Sequence, residues 1–370
     1  RATRQSMNPQ HNDDPLAYQQ QLDNKVNEFK ALMASAGVEI PDLTIHSSAP
    51  FGFRMRAEFR IWHEQGQAHF AMNRPGEKRP YIIDDFPIGA KLINRLMPEV
   101  LAAVNANEML SRKLFSIEFL TTTTQQVLVT LIYHKPLDEQ WQHQASLLAK
   151  QLNIKIIGRS RKQKVVLTDD FVIEELSVDG KLYQYQQVEA SFTQPNAQVN
   201  QKMLTWASDC LKDSNNDLVE LYCGNGNFTA VLAQHFDKVL ATEISKVSVN
   251  SANYNFDLNK VDNVTIARLS SEEFTQALNR ERAFRRLANV DLDSFNFSTI
   301  FVDPPRAGLD SGTEKLVTEM DSILYISCNP ETLAENLKQI TQTHQVVSAA
   351  LFDQFPWTQH IESGVLLKRR

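Results

Sequence analysis

Two rhythms of apolar residues divide this chain. Near the N-terminus, Leu22, Val26, Phe29 and Met33 recur at helical spacing, and Gly37 supplies a stop signal, which predicts one long first helix. Residues 51 to 62, "FGFRMRAEFRIW", then alternate apolar with charged positions, as a half-exposed strand does. Further strand-like runs at 116–120, 127–133, 154–158 and 164–167, with helices near 87–104 and 138–151, predict an antiparallel sheet carrying helices on one side. From about residue 200 short apolar runs are each followed by a helical segment: "LVELY", "KVLAT", "VTIA", "STIFV" and "ILYIS". Five such units predict a parallel, doubly wound sheet. The closing runs "QVVSAALFD" and "GVLLKR" have no helix between them and read as a terminal antiparallel hairpin, and residues 279–297 read as an insertion. The expected fold is therefore α/β, a Rossmann-like domain over 191–370, preceded over 1–190 by a helix and an α+β domain.

Composition narrows the chemistry. The chain has 370 residues, 42% of them hydrophobic and 22% charged, enough for two cores. No apolar run is long enough to cross a bilayer and no signal-peptide core opens the chain, so the expectation is a cytoplasmic protein with no membrane partner. Met7 is read as a candidate natural start, with residues 1–6 as an appended scar. Cys210, Cys223 and Cys328 are too few and too scattered for a zinc site, an iron–sulfur cluster or a disulfide framework, so no metal is expected. The net charge of −6 argues against a general polyanion binder. Between Gln140 and Thr168, however, no acidic residue interrupts Lys150, Lys155, Arg159, Arg161, Lys162 and Lys164, a local basic face.

In an open parallel sheet ligands bind beyond the carboxyl ends of the strands. After the first such strand, "ELYCGNGNFTAV" places Gly224 and Gly226 where backbone can turn and approach a ligand at a helix start. Glu243, at the end of the next strand, is placed to accept both hydroxyls of a ribose. Thr229 replaces the third glycine of a dinucleotide fingerprint, which suits a nucleoside without phosphates, such as S-adenosylmethionine. "FVDPPRAG" makes a rigid shelf with Asp303 aimed into the crevice. In "ILYISCNPETL", Asn329 is an N-cap and Pro330 a first helical residue, so Cys328 precedes a helix start, where the dipole is expected to favour a thiolate. A buried inert thiol and a nucleophile both remain open for it. Cys223 is expected to pack beside the glycine loop and Cys210 to be core.

The set "SFTQPN", "ELYCGNGNFT", "ATEIS", "FVDPPRAGLD", "ILYISCNPETL" and "FDQFPWTQHIESGVLL" resembles the RNA uracil carbon-5 methyltransferase family, in particular its tRNA branch. The likeness spans nearly the whole chain. It lacks the extra N-terminal β-barrel and the four-cysteine motif of relatives acting on ribosomal RNA. The resemblance implies methylation of carbon 5 of the T-loop uridine of tRNA (position 54). Carbon 5 of uracil is a poor nucleophile until a thiolate adds at carbon 6, the role implied for Cys328. Glu362 matches the family's base, which removes the carbon-5 proton afterwards, with His360 as its neighbouring rival. Gln194, Tyr222, Gly224, Asn227, Glu243 and Asp303 would contact S-adenosylmethionine.

A uracil must leave its stack to reach such a site, so the first half should grip phosphates and replace stacking. Phe51, Phe53, Arg54, Arg56, Arg60 and Trp62 are candidates, with Arg159, Arg161 and Lys162 from the basic run; alternation puts Arg54, Arg56, Arg60 and Trp62 on one face and Phe51 and Phe53 on the other. No obligatory protein partner is implied. Two other readings stay open. An amino-group nucleobase methyltransferase usually follows Asp-Pro-Pro with an aromatic, whereas Arg306 stands here; a tRNA folding factor would use the same surface with methylation secondary.

Overall fold

The computed structural model describes residues 15–370, so Met7 and the suggested scar lie outside the described residues. The chain divides into two compact units that interleave in sequence: Ala49–Glu175 with Gln186–Ala197 form the main part of the first, and Tyr18–Ser48, Leu176–Tyr185 and Gln198–Arg370 form the second. The single cut expected at residue 190 is thus replaced by several crossings. Helix α1 (Pro15–Ser35) and strand β1 (Leu43–His46) supply most of the leading segment, and from Tyr18 onward it belongs with the C-terminal half.

The first unit holds β2 (Arg56–Glu64), β3 (Gln67–Met72), β4 (Tyr81–Ile82), α2 (Lys91–Asn105), α3 (Glu108–Ser111), β5 (Leu114–Thr121), β6 (Val127–Tyr133), α4 (Glu139–Leu152), β7 (Lys155–Ser160) and β8 (Gln163–Val166). Its seven strands run in the order β4-β3-β2-β5-β6-β7-β8. The sheet is not wholly antiparallel as the pattern suggested: β6 and β7 are parallel, because α4 lies between them in sequence as a crossover. Phe59, Phe70, Phe86 and Phe119 meet edge-on in its core, with Leu96, Val100 and Trp141 of the helices buried against the same cluster. Strands β9 (Phe171–Val178) and β10 (Lys181–Val188) form a separate hairpin, which the apolar pattern did not reveal.

The second unit continues with α5 (Ala197–Leu211), β11 (Asp217–Leu221), α6 (Thr229–Leu232), β12 (Lys238–Thr242), α7 (Lys246–Leu258), β13 (Val264–Ala267), α8 (Ser271–Leu278), β14 (Phe297–Val302), α9 (Ser311–Val317), β15 (Ser322–Ser327), α10 (Pro330–Ile340), β16 (His344–Phe352) and β17 (Glu362–Arg369). Its eight strands lie in the order β1-β16-β17-β15-β14-β11-β12-β13. The five expected strand–helix units are present and parallel, and β17 is antiparallel to both β15 and β16. The unforeseen member is β1, which pairs in parallel with β16 at the edge. Strands β11, β14 and β15 are almost completely buried, so they read as continuous apolar runs without alternation. The insertion at 279–297 forms two short 3₁₀ turns and sinks Leu287 into this core.

Helix α1 is fastened to the loop before β17 through a buried charge. Lys25 Nζ donates to Asp353 Oδ1 (2.7 Å) and to the Phe355 carbonyl (3.1 Å), while Tyr18 Oη donates to Asp353 Oδ2 (2.8 Å). The Trp357 N–H donates to Gln21 Oε1 (2.6 Å). Both Lys25 and Asp353 are buried, so their mutual satisfaction is what permits charge at this depth.

Candidate active site

The turn after β11 is tight. Tyr222, Gly224 and Gly226 all have positive φ (58°, 56° and 79°), and a Cβ on Gly226 would stand 2.7 Å from the Phe256 ring, so a side chain there would collide. The Gly224 N–H donates to Glu243 Oε1 (3.1 Å) and the Ser245 N–H to Glu243 Oε2 (2.7 Å), which fixes that carboxylate beside the loop with acceptor capacity to spare. Tyr222 Oη donates to Ser271 Oγ (2.9 Å). The Asn227 side-chain amide is exchanged with that of Asn200 (2.9 and 3.1 Å), and its backbone carbonyl accepts from Tyr185 Oη (2.8 Å). Cys223 is buried beside the loop, as anticipated, and burial pushes its thiol up; Cys210 is only half-buried.

The shelf after β14 is tied to α10. The Arg306 carbonyl accepts from Asn329 Nδ2 (3.0 Å) and Thr332 Oγ1 (2.9 Å). Buried Asn336 exchanges two bonds with the Leu309 backbone (2.9 and 3.1 Å) and accepts from Tyr325 Oη (2.7 Å). Gly308, at φ 76°, leaves space that a Cβ could not share with Asn336 Oδ1, 2.7 Å away. Asn329 caps α10 as its sequence predicts, accepting the Glu331 N–H (3.1 Å).

Strands β15 and β17 run antiparallel, their pairing ending at Ser327 opposite Ser363, so Cys328 directly follows one partner of that last pair and Glu362 directly precedes the other. Glu362 is buried, and burial with the neighbouring Asp303 raises its carboxyl well above the ordinary range; burial likewise raises Asp303. Cys328 is half-buried and lines a cavity of about 380 Å³ with Arg306, His360, Ile361 and, from α1, Phe29 and Leu32. The thiolate expected from the helix start does not prevail in the free protein. Burial first, then the charges of Glu362 and Asp303, push the thiol up to about 11, against which Arg306 is the opposing cation. His360 is exposed at the cavity, its Nδ1 3.4 Å from Arg306 Nη1.

Tyr222, Gly224, Asn227, Glu243, Asp303, Cys328 and Glu362 thus gather in the second unit around the carboxyl ends of β11, β12, β14 and β15 and the start of β17. Gln194 belongs to the first unit, on a segment whose Pro195 carbonyl accepts the Met55 N–H (2.8 Å). Two residues escaped the sequence reading. Glu220, wholly buried in β11, was signalled only by its oddity as an acid within "LVELY". Ile244, 63% exposed directly after Glu243, offers an apolar surface beside that carboxylate.

The expected basic face of the first unit is smaller than its sequence suggests, because acids just downstream fold back onto it. Arg159 forms a two-pronged pair with Glu189 (2.7 and 2.6 Å), Lys164 pairs with Asp170 (3.2 Å) and Lys155 with Asp169 (3.1 Å). Arg56 binds Glu118 (2.8 Å) and the carbonyls of Ser191 and Glu189, and Arg54 is half-buried with Nε on the Arg56 carbonyl (2.8 Å). These arginines are committed to the fold. Arg161 and Lys162, at the tip between β7 and β8, are exposed. A second surface, missed in sequence, joins Arg60 and Trp62 to Lys113, Phe115 and His134 around a recess of about 490 Å³. Phe115 and His134 stack at 4.3 Å, both exposed, with Arg60 5.8 Å from the Phe115 ring.

A doubly wound sheet with a glycine turn, a carboxylate fixed beside that turn and a proline shelf defines a Rossmann-like, S-adenosylmethionine-dependent methyltransferase. The donor set fits this group: a fixed acceptor beside the loop, an exposed apolar side chain, and buried carboxyls suited to a cationic ligand. The family model for tRNA (Uracil-5-)-methyltransferase matches residues 17–370, and the chain belongs to that family. The tRNA/tmRNA (uracil-C(5))-methyltransferase of Cellvibrio japonicus (strain Ueda107) is 57% identical over 354 residues, covering 96% of each chain. That of Teredinibacter turnerae (strain ATCC 39867 / T7901) is 60% identical over 321 residues, covering 86% of this chain and 88% of its own. The fold is shared with the crystal structure of Pyrococcus abyssi tRNA (uracil-54, C5)-methyltransferase in complex with S-adenosyl-L-homocysteine. The TM-score is 0.71 at 20% identity, covering 95% of this chain and 83% of that one. Among the described residues no cluster of metal-ligating side chains occurs, and no helix is long and apolar enough to cross a membrane.

Proposed function

We propose that this enzyme methylates carbon 5 of the T-loop uridine of tRNA, position 54, through a covalent adduct on Cys328. S-adenosylmethionine supplies an electrophilic methyl group when bound, with Tyr222, Gly224, Asn227, Glu243 and Asp303, and Gln194 by resemblance, as the residues to hold it. The remaining work falls to side chains of the chain itself. Cys328 Sγ loses its proton and adds to carbon 6, with Arg306 stabilising the developing thiolate; this leaves carbon 5 electron-rich. After alkylation, the Glu362 carboxylate takes the carbon-5 proton, the bond to Cys328 breaks, and aromaticity returns. The observation that carries this reading is the end of the β15–β17 pairing, Ser327 opposite Ser363, which brings Glu362 within electrostatic reach of Cys328, while Cys328 and Arg306 line one cavity. It also favours Glu362 over exposed His360 as base. The first unit is read as the RNA grip, with the Phe115–His134 stack, Arg60 and Lys113 replacing lost stacking, and Arg161 and Lys162 meeting phosphates. The relatives' name adds tmRNA as a second substrate to test.

The decisive experiment incubates the enzyme with 5-fluorouracil-containing tRNA and S-adenosylmethionine. Fluorine cannot leave as a proton does, so a methylated RNA adduct should accumulate, and peptide mass spectrometry should locate it on Cys328. An adduct elsewhere, or turnover by Cys328→Ala, overturns the mechanism. The exposed aromatic stack also suits a tRNA folding factor; that reading gains if Cys328→Ala still accelerates refolding of tRNA in a fluorescence assay.

A further inference from the structure

Three carboxyl groups crowd one end of the catalytic sheet, on strands that lie side by side. In the order β17-β15-β14-β11, Glu362 opens the first, Cys328 follows the second, Asp303 follows the third and Glu220 lies in the fourth. Glu220 is 1% exposed, and among the described residues its carboxyl has one hydrogen-bond partner, Thr229 Oγ1, at the start of α6 just past the glycine turn. No lysine, arginine or histidine among the described residues makes an ion pair with Glu220, Asp303 or Glu362. The chemistry proposed above occupies Glu362 and leaves Glu220 without a task.

A buried carboxylate with no counter-ion is costly, so such a group stays protonated until a cation arrives. Resting on the reading that the glycine turn, Glu243 and Asp303 hold the methyl donor, we propose that Glu220 and Asp303 form a proton-exchanging pair that makes the site favour the sulfonium donor over its thioether product. The donor brings a fixed positive charge. The product, having lost its methyl while sulfur keeps the bonding pair, brings none there. With donor bound, the pair gives up a proton to solvent; with product bound, it takes one back from solvent. This exchange is separate from the carbon-5 proton received by Glu362. Burial pushes Glu220 up to about 8, with Asp303 adding to the rise, and burial raises Asp303, so the exchange falls around and above neutral pH. Other groups facing the pair are Glu362, Cys328 and Tyr325 beside Asp303, and Cys223 and Tyr185 beside Glu220, all uncharged or made harder to ionise by the same crowding; Arg306 acts on Cys328.

Calorimetric titration in two buffers of different ionisation enthalpy counts the protons. At pH 7.5 the wild-type enzyme should release about half to one proton more on binding S-adenosylmethionine than on binding S-adenosylhomocysteine, a comparison in which groups common to both ligands largely cancel. The affinity ratio, donor over product, should rise roughly fivefold to twentyfold from pH 6.5 to 8.5, and Glu220→Gln should flatten that rise. Equal proton counts for the two ligands in the wild type, or a ratio that ignores pH, overturns the pairing while leaving the donor site intact. Failure of both ligands to bind would instead remove the functional reading, and this inference with it.

Discussion

A thiol pushed up to about 11 by burial and two carboxyls is not a nucleophile at rest, and its neighbour Glu362 is not yet a base. Both must lose protons for the proposed reaction, and both are held above their ordinary values, so the sign is the same for each. The single-turnover methylation rate should rise with pH from about 6 to 9. Replacing Arg306 with glutamine removes the cation that opposes the rise and should move this limb upward by about half a unit to one unit. A profile flat between pH 6 and 9, measured with saturating RNA and donor, would contradict the arrangement. The same crowding bears on stability. Glu220 binds a proton in the native state over a range where the unfolded chain has released it, so its contribution is present below about pH 4.5 and lost as pH rises through about 8. Glu220→Gln should therefore raise the unfolding free energy measured by urea titration relative to wild type at pH 8, by on the order of 3 kcal/mol, and much less at pH 5.

The elements that position the site were legible to different depths. The parallel units announced themselves because buried strands are uninterrupted apolar runs, and Asn329-Pro330 marked the start of α10 because the capping chemistry is local. The bonds that lock the shelf were not legible, since Asn336 reaches Leu309 across 27 residues and nothing at either position advertises the other. Likewise Asp169, Asp170 and Glu189 stand outside the basic run they neutralise, and only folding brings them onto Lys155, Lys164 and Arg159. Nothing in the helical spacing singled out Lys25, which is buried on Asp353. Lys25→Met strands that aspartate and should cost about 3–5 kcal/mol in chemical denaturation. Adding Asp353→Asn should recover part of the loss, and equal stability of the single and double variants would show that the pair does not act as described.

At the scale of the molecule, the sequence separated an α+β half from a doubly wound half by their rhythms, and missed that the leading segment belongs with the latter. Four residues of β1 are too short a run to signal a strand, and their partner β16 lies some 300 residues away. The first unit's aromatic stack was equally hidden, because Phe115 and His134 look unremarkable until β5 and β6 pair. Phe115→Ala should weaken tRNA binding by about 1–3 kcal/mol in a filter-binding assay with little change in melting temperature, since the ring is exposed. Unchanged affinity would move the RNA grip elsewhere.

The fastening of α1 and β1 to β16 and the loop before β17 also sets a clock on biosynthesis. The ribosome emits α1 well before β16, β17 and Glu362, and the domain cannot close until those strands emerge. A nascent chain therefore has no competent pocket to offer the tRNAs crowding the translating ribosome until β17 has emerged.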